Sequence, residues 1–175
     1  MDFFVLEMAP EYTAPEPLDW YGKLDSKTIL QTSYSQMPEH QVFHIKEHMQ
    51  LVFTDVILFP CFLVSYDAMK IIQLYEPKLR FKRVLLYSVK QKKSMAYYVP
   101  FLEVVDCLLD QKSTGIADRT KIGLKQINSE KIGDRALVRA SNATETRVLV
   151  RLDLVESLLR RKMIGIGLRE VNTIV

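Results

Sequence analysis

Two cysteines, six glycines, seven prolines and three histidines in 175 residues put several classes of protein out of reach. Cys61 and Cys107 are too few for a disulfide framework and lack the paired spacing of a metal site, so they read as buried thiols in a reducing compartment. So little glycine and proline excludes a low-complexity or collagen-like scaffold. No stretch approaches the roughly 18 apolar residues of a membrane span. The opening MDFFVLEMAPE carries Asp2 and Glu7 where a signal peptide carries Lys or Arg, so the expectation is a cytoplasmic protein with no membrane partner. What is present is ordinary globular material: hydrophobic residues at 48% and charged residues at 26% suit one compact body with an attached arm.

Charge is unevenly spread. Residues 1–40 hold seven acids and two bases, a net −5, which leaves +8 on the remainder. Pro10, Pro15, Pro17 and Pro38 in this segment forbid a long helix or a central strand. Residues 1–41 are therefore expected to form a strand at Asp2–Met8 and an acidic, Pro-rich arm. Trp20, Tyr12, Tyr21 and Tyr34 make it too aromatic for a solvated tail, so it should pack on the body at 42–175; the rival is an arm that orders only on a partner. Between Glu76 and Glu103 there is no acid, while seven bases occur. The segment KRVLLYSVKQKKSMAYYV reads as two strands joined at Gln91–Ser94, with Lys90, Lys92 and Lys93 near the tip and Lys82 and Arg83 on the first strand. Such lysines solvate a hairpin and protect its edge, or meet an acidic partner surface; single-strand and helix-turn-helix signatures for nucleic acid are missing.

Two segments, 62–84 and 148–171, align from their first residues: Val64 with Val150, Asp67 with Asp153, Met69 with Val155, Ile72 with Leu158. Each reads strand, cap, helix, strand. In the first, Ser65 or Asp67 caps a helix that Pro77 stops. In the second, Asp153 and Glu156 form a capping-box pattern, Leu152, Val155, Leu158 and Leu159 make one apolar face, and Gly165 ends the helix. Further strands at Phe101–Leu109, Gly123–Ile127 and Ala136–Ser141 complete an α+β fold with a mixed, mostly antiparallel sheet, few helices and two strand–helix–strand units.

Catalytic equipment is sparse. His40, His44 and His48 recur every four residues, which on a helix stacks neighbours about 6 Å apart, close enough to share a metal ion. In a strand the same spacing is about 13 Å and forbids it. The apolar pattern suits either, and no accompanying acid completes a recognised motif. Cys61 and Cys107 lie in apolar runs that make a thiol inert. GIGLRE at 165–170 follows a helix instead of opening one and is no phosphate loop. No catalytic residue, cofactor or metal site is assigned.

The succession VFHIKEHMQLVFTDVI, PCFLVSYDAMKIIQ, FKRVLLY, YYVPFLEVVDCLLDQKST, INSEKIGDRALVRA and VLVRLDLVESLLRRKMIGIGLREV resembles immunity family eleven of the bacterial polymorphic-toxin systems, over residues 42–172. The most specific parts are Thr54–Asp55, LVS at 63–65, VVDCLLDQKS at 104–113 and IGIGLREV at 164–171. The chain departs from the family pattern at Ile164, where a Thr usually precedes the Gly, and at Arg151, where a Ser usually precedes the closing helix. The resemblance implies a non-enzymatic protein that binds a co-produced toxin, with Lys82, Arg83, Lys90, Lys92 and Lys93 as the candidate contact residues. An enzyme or metal protein built on His40, His44 and His48, or a structural subunit of a larger assembly, are the alternatives; oligomeric state is open.

Overall fold

The computed structural model describes residues 1–25, 29, 34–109, 126–141 and 146–174. Among them are thirteen strands and two helices, an α+β fold dominated by sheet. The strands are β1 (Phe3–Met8), β2 (His40–His44), β3 (Val56–Ile57), β4 (Leu63–Ser65), β5 (Phe81–Ser88), β6 (Lys93–Pro100), β7 (Val104–Asp106), β8 (Leu108–Leu109), β9 (Gln126–Asn128), β10 (Leu137–Ser141), β11 (Thr146–Arg151), β12 (Ile166–Glu170) and β13 (Asn172–Ile174). The helices are α1 (Tyr66–Tyr75) and α2 (Leu152–Arg160). The stretch expected as one strand over Phe101–Leu109 is split into β7 and β8, and of Gly123–Ile127 only Gln126 and Ile127 lie among the described residues, in β9.

Two five-stranded sheets run in the orders β12-β1-β11-β10-β7 and β2-β5-β6-β4-β3, with a small β13-β9-β8 sheet beside them. Seven of the ten strand pairings are antiparallel; β2 with β5, β7 with β10 and β9 with β13 are parallel. Both strand–helix–strand units are split in the same way. β4 and β5 run parallel with β6 antiparallel between them, and β11 and β12 run parallel with β1 between them. A hairpin partner flanks each unit, β3 on β4 and β10 on β11, so the same four-stranded arrangement with its helix occurs twice. In the first copy the inserted strand follows the unit in sequence; in the second it comes from the other end of the chain.

The two helices pack against each other between the sheets. Val64 and Val150, Ala68 and Leu154, Met69 and Val155, Ile72 and Leu158 share this central core. A second core lies on the far face of the β2-β5-β6-β4-β3 sheet, where Leu24, Ile29, Tyr34 and Met37 of the arm cover Phe43, Val84, Leu86, Tyr97 and Val99. A third lies between the other large sheet and Cys107, Leu108, Ile127 and Ile132. The arm's boundary falls inside β2, because His40 and Gln41 already pair with Arg83 and Val84. No helix among the described residues is long and apolar enough to cross a membrane.

Helix ends follow local chemistry, with three departures from expectation. Ser65 caps α1 as expected, its hydroxyl accepting from the Ala68 N–H at 3.2 Å. In α2 the cap position falls on Arg151, because β11 runs straight into the helix, so the Asp153–Glu156 box does not form. Asp153 instead accepts from the Leu154 N–H and is held by the Arg151 guanidinium at 2.8 and 2.9 Å, which keeps its carboxyl below the usual range. The buried stripe of α2 is Leu154, Val155 and Leu158; Leu152 and Leu159 are 36% and 46% exposed. A nine-residue helix wedged beside α1 presents only one narrow face, and residues 152 and 159, seven apart, lie together off it. The third departure concerns the helix stop. Met163 N–H reaches the Leu158 carbonyl and Lys162 N–H the Leu159 carbonyl, a Schellman closure with Lys162 at φ 60 in the left-handed slot. Gly165, at φ 87, serves another purpose: a Cβ there would lie 2.6 Å from Thr54 Cβ.

That close approach is part of a joint between the two units. Asp55 accepts from the Ser65 hydroxyl at 2.7 Å with one carboxylate oxygen and from the Ile164 N–H at 2.8 Å with the other, while its own N–H donates to the Ile164 carbonyl. Asp55→Asn places an amide N–H against one of these donors and should cost about 1–3 kcal/mol of stability in denaturant unfolding. An unchanged midpoint would show that the joint is not needed. Lys162→Gly should raise stability by about 1 kcal/mol, because glycine enters the left-handed region without steric penalty; a loss on denaturation would contradict the closure described.

Candidate functional site

Alternation along β5 sorts the candidate cations before any partner is considered. Lys82, Val84, Leu86 and Ser88 point to the arm side, so Lys82 is 6% exposed despite its charge. Its ammonium donates to the Met37 and Ser35 carbonyls, pairs with Glu39 at 3.4 Å and sits over the Tyr34 ring at 5.1 Å. Lys82 is thus a fastening for the arm, not an accessible contact residue, which corrects the sequence expectation. Arg83 points the other way and is exposed, but it lies five residues along the strand from Ser88, roughly 17 Å from the turn. Lys90, Lys92 and Lys93 are exposed together at the tip. Lys92 takes φ 48 in the turn, and Lys93 stacks over Phe53 at 5.0 Å.

Glu47 holds the tip in shape. Its carboxylate accepts from the Lys90 N–H at 3.1 Å and from the Ser88 hydroxyl at 2.8 and 3.0 Å. The Lys90 N–H above all, then the Ser88 hydroxyl, keep this carboxyl below the usual glutamate range.

The face of the sheet that carries Arg83 is only partly covered. α1 lies over β4 and β6, while His40, Val42 and His44 of β2, Arg83, Leu85 and Tyr87 of β5, and Ser94 and Ala96 of β6 reach solvent to varying degrees. Val42 is 66% exposed, and His44 meets Tyr87 edge-on at 5.7 Å. None of these strands contributes an acid to this face. Sequence reasoning missed Val42 and the β2 edge, although the alternation HQVFH already placed Val42 with the two histidines opposite buried Phe43.

The histidine spacing is settled by the same strand. His40 and His44 lie on β2, where residues four apart are separated by about 13 Å and share no ion, and His48 lies beyond the strand. No group of three His, Cys, Asp or Glu among the described residues could hold a metal. Cys61 and Cys107 are buried, and burial pushes both thiols above the ordinary value.

A cleft of about 690 Å³ runs along the outer edge of β2, lined by Leu18, Lys23, Gln41, His44 and Val89 among others. The Gln41 amide nitrogen is buried there without a hydrogen-bond partner.

No family model matches the chain, and no curated protein sequence matches it.

Glu47 gives the site a pH signature. Its carboxyl titrates lower in the folded protein than in the unfolded chain, so the clamp is complete above the ordinary glutamate value of about 4.3 and is lost as pH falls through the lower folded value. The Lys90 amide shift in an NMR titration should therefore move with a midpoint below about 4.3; a midpoint at or above it would remove Glu47 from the tip.

Proposed function

We propose that the protein is a non-enzymatic binding protein that neutralises a cognate bacterial toxin by direct contact. The observation that carries this reading is the half-open, acid-free sheet face around Val42, His44 and Arg83, with the exposed lysines Lys90, Lys92 and Lys93 at the hairpin tip beyond it, Lys93 leaning to the arm side over Phe53. A face left uncovered by its own helix, with an exposed apolar side chain amid positive charge, suits a partner that supplies acids and covers the apolar centre. Lys82 drops out of the contact set; Arg83, Lys90, Lys92 and Lys93 remain in it.

The test needs the partner, which co-expression with toxin-like genes encoded beside this one supplies. Association with a protein so obtained should slow several-fold between about 30 and 150 mM salt, because charges beyond about 8–10 Å apart are screened. The triple change Lys90→Glu, Lys92→Glu, Lys93→Glu should lower the on-rate more than it raises the off-rate. Salt-independent kinetics and a normally binding triple variant would take the lysine tip out of the interface, and failure of any neighbouring toxin to bind would overturn the function itself.

A further inference from the structure

β2 is the outermost strand of its sheet, and only half of its outer edge is used. In the parallel pairing with β5, Arg83 N–H donates to the Glu39 carbonyl and Ile45 N–H to the Tyr87 carbonyl, so the odd-numbered residues of this segment turn their backbone groups inward. The even-numbered residues turn theirs outward. At the far end the arm meets them: Leu18 N–H donates to the His44 carbonyl, and Lys46 N–H to the Glu16 carbonyl, an antiparallel bridge centred on Pro17 and Ile45. The arm then turns away at Asp19, φ 52. From His44 N–H back to His40, no strand among the described residues lies beside the lane.

Natural edges are usually blunted by proline, lysine or a bulge. Here Pro17 and Lys46 guard the covered half, and the bare half carries none of these. The cleft described above follows this bare half, with Gln41 and Val42 in its lining.

We propose that this lane takes an extended segment of a partner protein as an added strand, paired with the outward backbone groups of His40 and Val42 and with the His44 N–H. Only main chain in extended form can satisfy successive outward N–H and C=O groups at strand spacing. The arm demonstrates the mode on the adjacent residues. One row of the incoming side chains lies beside His40, Val42 and His44 with Arg83 one strand further in, where acids are favoured. The other row enters the cleft, where Leu18 and Val89 offer apolar contact. A second copy of the chain fits poorly, because an antiparallel pair centred on Val42 would set the partner copy's strand against the arm at Leu18. The inference deepens the toxin-binding reading and rests on it for the occupant's identity, but not for the existence of the lane.

The experiment selects a displayed library of random linear peptides against the full-length protein and uses synthetic copies of the winners. With peptide bound, hydrogen exchange should slow at the Val42 and His44 amides by tenfold or more, while Gln41 and Phe43, already paired with β5, change little. Val42→Pro removes one outward N–H and leaves the inward bonds in place; it should weaken peptide binding at least tenfold, and Val42→Lys, which keeps the N–H, should weaken it less. If Val42→Pro fails to fold, the alternating exchange pattern in the parent protein decides alone. Peptides that bind without that pattern, no selectable peptide at all, or a homodimer in sedimentation that Val42→Pro abolishes would each overturn the proposal. A toxin that binds Val42→Pro as tightly as the parent would overturn it too and leave the toxin-binding function standing, whereas edge-binding peptides with no toxin partner would sink the function and keep the lane.

Discussion

The carboxylate of Asp55 is where the two halves of the molecule meet. It takes the Ser65 hydroxyl that caps α1 and the Ile164 N–H that leads out of α2, so the start of one helix and the exit of the other share a single side chain. Thr54 beside it is fixed through its carbonyl by the Tyr97 hydroxyl at 2.8 Å and leaves room for nothing larger than Gly165. The position of α1 over β4 and β6 depends on this joint, and with it the extent of the sheet face left open. Ser65, Thr54–Asp55 and Ile164–Gly165, far apart in sequence, thus lie together for a mechanical reason, not a chemical one.

Local signals were legible, and long-range ones were not. The cap at Ser65, the stop before Pro77 and the burial of Leu158 are each decided by a few neighbouring residues, and the structure agrees with them, whereas the hairpin turn expected at Gln91–Ser94 falls at residues 89–92 because Lys93 and Ser94 already pair with Ser88 and Tyr87. The segment from His40 to His48 is ambiguous in sequence because its apolar residues fit both periods. The strand state of its first five residues, His40–His44, is imposed by β5, forty residues later. Arg151 displaced the anticipated cap because the end of β11 is set by pairing with β1 and β10, which no local pattern reveals. Lys82 is a different case: once β5 is a strand, the alternation with Val84 and Leu86 places it inside, and only its charge argued otherwise.

The buried ammonium of Lys82 also explains why the acidic arm is not simply a counterweight to a basic body. Its partners are mostly carbonyls of the arm, so what it satisfies are backbone groups that the arm's irregular course leaves unpaired. Elsewhere the arm's acids make exposed pairs, such as Glu16 with Lys46 at 3.9 Å, of the kind that contribute little. Apolar burial of Leu24, Ile29, Tyr34 and Met37 holds the arm; Lys82 fixes its register.

The placement of β1 between β11 and β12 has a consequence for how the chain can be made. During synthesis the first copy of the repeated arrangement, from β3 to β6, has all its strands within one continuous stretch and can assemble as soon as that stretch emerges. β1 emerges before any of it, yet the strands on either side of it come about 140 and about 160 residues later. Until then Phe3, Val5 and Leu6 have no native strand partners, so β1 leaves the ribosome long before it can take its place, and the second sheet closes only once β11 and β12 have emerged.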